Sequence, residues 1–143
     1  MKVLSVRQPF ADLVVTGYKD IENRSRQTSH RGPLLIHASR RIDREMLTEL
    51  VATLRADGHN DAADFFSEPA TGAIVGQVTV IDCVTRSDSD WFTGPYGYVL
   101  ADPLLFEHPV EVLGKLGIWE LPEDLAAAVD DEIALATQLA EEG

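Results

Sequence analysis

The sequence predicts a small α+β domain: a barrel-like sheet of about six strands, with helices inserted early and one appended late. Three observations predict it. Short apolar or β-branched runs bounded by Gly and Pro recur from Lys2 to Leu121. Stretches with helical apolar spacing interrupt them within residues 9–66. An acidic, alanine-rich stretch follows the last of the runs. The chain has 143 residues, one domain's worth, without an internal repeat or a linker composition.

Taken in order, Lys2–Val6 alternates as a strand does. Pro9 suits the start of a helix, where its missing N–H costs nothing. Phe10, Leu13 and Val14 follow at i, i+3, i+4 and Gly17 stops the helix. Ile21–Arg24 reads as a brief extended piece, Gln27–Gly32 as a polar loop and Pro33–Ala38 as a buried strand. Asp43 is an N-cap candidate. It opens a helix whose apolar face is Leu47, Leu50, Val51 and Leu54 and which ends at Gly58; a second helical piece covers Asp61–Phe66. Gly72–Val84 is the longest strand signal, and Gly76 within it predicts a bend or the close approach of another backbone. Trp91–Gly97 reads as a turn-rich aromatic loop. Tyr98–Leu105 and Val110–Leu113 read as two strands interrupted by Pro103 and Pro109, and Gly117–Leu121 as the last. Pro122 opens a C-terminal helix, with Leu125, Val129, Ile133 and Ala136 on the face expected to dock on the sheet.

Charge is segregated. Residues 1–55 hold ten Lys/Arg against six acids, and residues 56–143 hold two against eighteen, for a net charge of -12. This disfavours indiscriminate binding to duplex DNA or an anionic membrane and points to a local basic site on an acidic body. A single cysteine, Cys83, excludes an internal disulfide, and the four histidines show no metal-ligand spacing, so neither a metal nor a cofactor is expected. Phosphate-loop, dinucleotide-binding and nucleophile-elbow patterns are missing. Residues 1–7 carry neither a long apolar run nor a small-residue cleavage site, and a cytoplasmic protein is expected.

The densest polar stretch is Gly17-Tyr18-Lys19-Asp20-Ile21-Glu22-Asn23-Arg24-Ser25-Arg26, continued by Thr28-Ser29-His30-Arg31-Gly32 and flanked by Gln8-Pro9-Phe10. With Leu4-Ser5-Val6-Arg7 before it, Pro33-Leu34-Leu35-Ile36-His37-Ala38 after it, and Gly114-Lys115-Leu116-Gly117-Ile118-Trp119-Glu120-Leu121 near the end, it resembles the ASCH (activating signal cointegrator homology) domain family of the PUA-like superfamily. The resemblance covers about residues 2–121. It implies a PUA-like mixed β-barrel of about six strands with helices at the mouth, an ASCH domain over 1–121 and a C-terminal helical extension over 122–143. It also implies a cleft lined by a G-x-K-x-x-E-x-R segment: Gly17, Lys19, Glu22 and Arg24.

On these grounds the expected ligand-binding residues are Gln8, Phe10, Lys19, Glu22, Asn23, Arg24, Arg26 and Arg31. Arg24 or Arg26 would clamp a phosphate. Glu22 would accept from an exocyclic amine, and Phe10, Trp91 or Tyr96 would stack on a base. The expected function is recognition of RNA or of a nucleotide or nucleoside, modified or not, in a basic cleft, by a monomer or weak dimer. The alternative is an amidohydrolase acting on N4-acylated cytidine, with Lys19 and Glu22 catalytic. Relatives of that kind resemble G-x-K-x-x-T, and Glu22 stands where their threonine nucleophile would be. A ribonuclease pairing His30 or His37 with Lys19, and a protein-interaction domain, are further readings.

Overall fold

The computed structural model describes all residues, Met1–Gly143. Six strands form one sheet: β1 (Lys2–Gln8), β2 (Ile21–Arg24), β3 (Gly32–Ile42), β4 (Ala73–Val84), β5 (Tyr96–Glu111) and β6 (Ile118–Glu120). Their spatial order is β2-β5-β4-β3-β1-β6, with β1 and β3 parallel and the other neighbours antiparallel. The helices are α1 (Phe10–Val15), α2 (Arg44–Ala56), α3 (Asn60–Ser67) and α4 (Ala126–Glu142).

Alternation along the strands supplies both sides of the sheet with apolar side chains. Leu4, Val6, Leu34, Ile36, Val78 and Val80 pack with Ala11, Val14 and Val15 of α1. Val3, Leu35, Ile74, Phe106 and Trp119, on the opposite face, pack with Val129 and Ala136 of α4. The C-terminal helix thus docks on its own sheet through the face read from the sequence. Asp43 caps α2 by accepting from the Met46 amide at 3.0 Å. At Gly76 both α1 and β5 press on the strand: a Cβ there would lie 2.1 Å from the Leu104 carbonyl and 2.8 Å from Val15.

Two expectations change. Residues 96–111 form one strand rather than two. Between the pairs Thr79↔Ala101 and Gln77↔Leu104, β5 advances one residue more than β4, so Asp102 and Pro103 fall in a bulge, Asp102 with φ 49°. Pro109 falls in a wider slip between Gly76↔Leu105 and Ile74↔Val110. Strand β2 pairs with β5 only over Tyr96–Val99, so neither proline denies it a hydrogen bond.

The sheet is also not a closed barrel, because no ladder joins its edge strands β2 and β6. It curls nonetheless: Arg24 on β2 donates from Nη2 to the Ser5 carbonyl of β1 at 2.8 Å, although three strands separate β2 from β1 within the sheet. Strand β6 pairs with β1 only over Lys2, Val3 and Leu4, so a gap begins at Ser5.

Candidate functional site

The gap is a cleft of about 1050 Å³. Strands β1, β2 and β3, the 90–93 turn and the 112–117 segment enclose it. Six cations line it (Arg7, Lys19, Arg24, Arg40, Arg41, Lys115) against two carboxylates, Glu22 and Asp90, in a molecule of net charge -12.

The floor is a buried ionic group. Gly17, with φ +83°, turns the chain out of α1, and the Lys19 amide closes the turn on the Leu13 carbonyl at 3.0 Å. The Lys19 side chain is thereby only 3% exposed. Its Nζ donates to the Ile21 carbonyl at 2.5 Å and to Glu22 Oε1 at 2.9 Å. Glu22 Oε2 accepts from Arg24 Nε at 3.1 Å and Nη2 at 2.9 Å. A carboxylate offers about four acceptor positions. Three are filled, which leaves one on Oε1. The Phe10 ring faces Lys19 Nζ at 5.6 Å and the Arg7 guanidinium at 5.2 Å, so it helps hold these cations. Trp91, anchored by donation from Nε1 to the Tyr18 carbonyl at 3.1 Å, is the other aromatic wall.

Opposite lies a neutral relay. His37 Nε2 is 2.8 Å from the Val112 carbonyl, which only accepts, so Nε2 carries the proton. Nδ1 then accepts from the Ser5 hydroxyl at 3.1 Å, and Ser5 Oγ accepts from Trp119 Nε1 at 3.2 Å. Burial holds the imidazole below its ordinary value, with the Val112 bond opposing. Gly114 lies so close over this relay that a Cβ would sit 2.6 Å from His37 Cε1.

Five of the eight residues expected at a ligand line the cleft: Phe10, Lys19, Glu22, Asn23 and Arg24. Three do not. Gln8 is fully buried as a brace, donating to the Ala70 carbonyl and accepting from the Asp12 amide. Arg26 lies beyond the end of β2, exposed and outside the cleft. Arg31 folds back on the Thr28 and His30 carbonyls and approaches Asp82 at 3.7 Å. Tyr96 is likewise no wall of the cleft. Asn23, though a lining residue, ties down the turn by donating to the Trp91 carbonyl and accepting from the Thr93 and Gly94 amides. His37 shares the cleft with Lys19, but both its nitrogens are engaged; His30 is elsewhere, bonded to the Pro33 carbonyl.

Arg7, Arg40, Arg41, Lys115 and Ser5 are cleft residues that the sequence reading missed, whereas His37 was named there only as a partner for Lys19. The available signal was two consecutive arginines closing an apolar strand, where alternation fails. No three His, Cys, Asp or Glu side chains gather as a metal centre, and no helix is long and apolar enough to cross a membrane.

The ASCH domain model matches residues 4–105. The chain is 32% identical over 127 residues to human activating signal cointegrator 1, covering 82% of this chain and 22% of that protein. It is 39% identical over 84 residues to the mouse protein of the same name, covering 58% and 14%. The chain thus spans no more than about a fifth of these relatives. The crystal structure of ASCH from Zymomonas mobilis superposes with a TM-score of 0.55 at 14% identity, covering 91% of this chain and 93% of that one. A point mutant of the same protein gives 0.54 at 15% identity, covering 91% and 96%. At that identity the likeness shows the fold.

Proposed function

The chain belongs to the ASCH domain family, and from that premise we propose that its cleft recognises RNA or a nucleotide-type ligand by binding a base over the Lys19–Glu22–Arg24 floor. The observation that carries this reading is the buried carboxylate held between two cations with one acceptor position left over. It is fixed in place before any ligand arrives, which lowers the cost of ordering on binding. It suits a base edge that presents an exocyclic amine. Trp91 supplies a stacking face, worth about 1–3 kcal/mol per base.

The test is fluorescence anisotropy with a short labelled single-stranded RNA, competed by nucleotides and nucleosides, unmodified and modified. Saturable binding that Trp91→Ala weakens by about five- to 150-fold is expected, the fold-change that stacking energy implies. Absence of saturable binding to all of these, or binding indifferent to both Trp91→Ala and Arg24→Ala, overturns the reading.

Hydrolysis of N4-acylated cytidine is the second reading, favoured by Lys19 Nζ lying 2.9 Å from Glu22 in the same cleft. It has less support. Both Glu22 oxygens are already engaged by cations, and no hydroxyl stands at position 22. Acetate release from N4-acetylcytidine, abolished by Glu22→Gln, would put this reading first.

A further inference from the structure

The six cations of the cleft fall into two tiers. Lys19 and Arg24 are spent on Glu22 and on backbone carbonyls. The Arg24 fork, expected from sequence to clamp a phosphate, holds a carboxylate and the Ser5 carbonyl instead. Above them, Arg40, Arg41 and Lys115 take part in none of the ion pairs of the molecule, and their side chains donate no hydrogen bond to protein. Arg7 beside them reaches Asp43 only at 4.0 Å.

The backbone itself creates this rim. Between the pairs Val6↔Ala38 and Gln8↔Ile42, β1 advances two residues while β3 advances four. Ser39, Arg40 and Arg41 therefore bulge out opposite Arg7 alone, at the cleft mouth, where a bulge re-aims side chains. The Arg40 guanidinium lies along Gly72, near enough that a Cβ there would sit 3.6 Å from its Nε. Lys115 comes from the facing 112–117 segment, so the unpaired cations stand on both lips. Like charges gathered without partners repel each other, and a polyanion in the groove relieves that repulsion.

We infer that Arg40, Arg41 and Lys115 form a phosphate track, and that the cleft takes a single-stranded oligonucleotide rather than a free nucleoside. The inference rests on the base-binding reading above and assigns the phosphates to residues outside the Gly17–Arg24 segment. A nucleoside offers these cations nothing. Successive phosphodiesters of a single strand offer each a partner while the base sits on the floor. A duplex brings a second row of phosphates toward a body whose remaining charge is strongly acidic.

Affinity is measured for a nucleoside, its 5′-monophosphate and a tetranucleotide, each across a salt series. The tetranucleotide is expected to bind at least tenfold more tightly than the nucleoside, with the monophosphate between them. Its log affinity is expected to fall with log salt by about 0.7 per phosphate contacted. Arg40→Ala with Arg41→Ala, both exposed positions, flattens that slope by about 1.4 and removes the advantage over the nucleoside while nucleoside affinity stays. Equal affinity for nucleoside and tetranucleotide, or a slope the double variant does not change, overturns the track and leaves base binding standing. Equal affinity for monophosphate and tetranucleotide overturns the strand and makes a free nucleotide the ligand. Failure of all three to bind overturns the base-binding reading itself.

Discussion

Strand β1 has two halves with different neighbours on one side. Along Lys2–Leu4 it is covered by a strand, β6, whose ladder satisfies the backbone and leaves no room. From Ser5 onward the cover is made of side chains: the Arg24 guanidinium takes the Ser5 carbonyl, and the hydroxyl sits between Trp119 and His37. A side-chain neighbour satisfies single groups and leaves space beside them, and the cleft is that space. The cavity arises where the ladder stops, and ions rather than apolar packing hold its floor.

The largest effect expected from breaking this contrast is at Glu22. Glu22→Ala strands Lys19, 3% exposed, and Arg24 without their counter-ion. Removing one partner of such a group costs about 3–5 kcal/mol. Urea unfolding should show that loss in the midpoint at unchanged slope. A loss below about 1 kcal/mol would mean that the open half is not held by its ions. Next is Gly114→Ala. Its Cβ would meet His37 Cε1 at 2.6 Å and Ser5 Oγ at 2.8 Å, so the 112–117 segment must lift off β1. The expected cost is about 1–3 kcal/mol, with weakened ligand affinity because Lys115 moves. A variant as stable as the parent would show that the segment rides freely above the relay.

The third prediction is a pH effect. His37 titrates below its ordinary 6.5 in the folded state because burial disfavours the imidazolium. Between the folded value and 6.5 the unfolded chain therefore binds a proton that the native state refuses. Stability falls as pH drops through this window, by at most about 1.4 kcal/mol per unit, and is flat above it. Asp12 contributes with the opposite sign lower down. Desolvation raises its carboxyl above 3.8, against a lowering by Gln8, so stability is lost as pH rises from 3.8 to the raised value. The measurement is accordingly the difference between parent and His37→Gln across pH 5–7.5. A difference that does not vary with pH would show that His37 is not the buried neutral group of the relay.

The contrast between the two halves also governs what could be read in the sequence. The ladder-bound parts were legible, because alternation in β1, the apolar run of β3, the Asp43 cap, Gly76 and the apolar face of α4 each act through local pattern or through one residue's own chemistry. The floor was legible as a group, since Lys19, Glu22 and Arg24 lie within six residues. The rim was not. Arg40 and Arg41 reach the cleft through a slip of register against β1, and Lys115 arrives from the far end of the chain; spacing encodes neither. Gln8 misled for the opposite reason. An amide next to a site looks like a ligand contact, but its bonds go to the Asp12 amide and to Ala70, distant in sequence. The prolines of β5 misled because a proline argues against a strand interior only where a neighbour needs its N–H, and β2 stops at Val99.

The smallest effect belongs to the closed half. Glu120 pairs there with Lys2 at 2.5 Å and with the terminal amine at 3.3 Å, and these hold its carboxyl below 4.5, the Lys2 hydrogen bond first. Its contribution is present above 4.5 and lost as pH falls through the folded value. Yet the side chain is 62% exposed, so water and salt screen both pairs. What holds this half is the ladder Lys2↔Glu120, Val3↔Trp119, Leu4↔Ile118 with Trp119 buried beneath it, and Glu120→Gln leaves all of that intact. At physiological salt and pH 7 the unfolding midpoint should not move measurably, with a small destabilisation emerging only at low salt. Two carboxylates, each bonded to two cations, thus make opposite predictions from burial alone. A loss at Glu120 matching that at Glu22 would erase the distinction between a half held by backbone and a half held by ions.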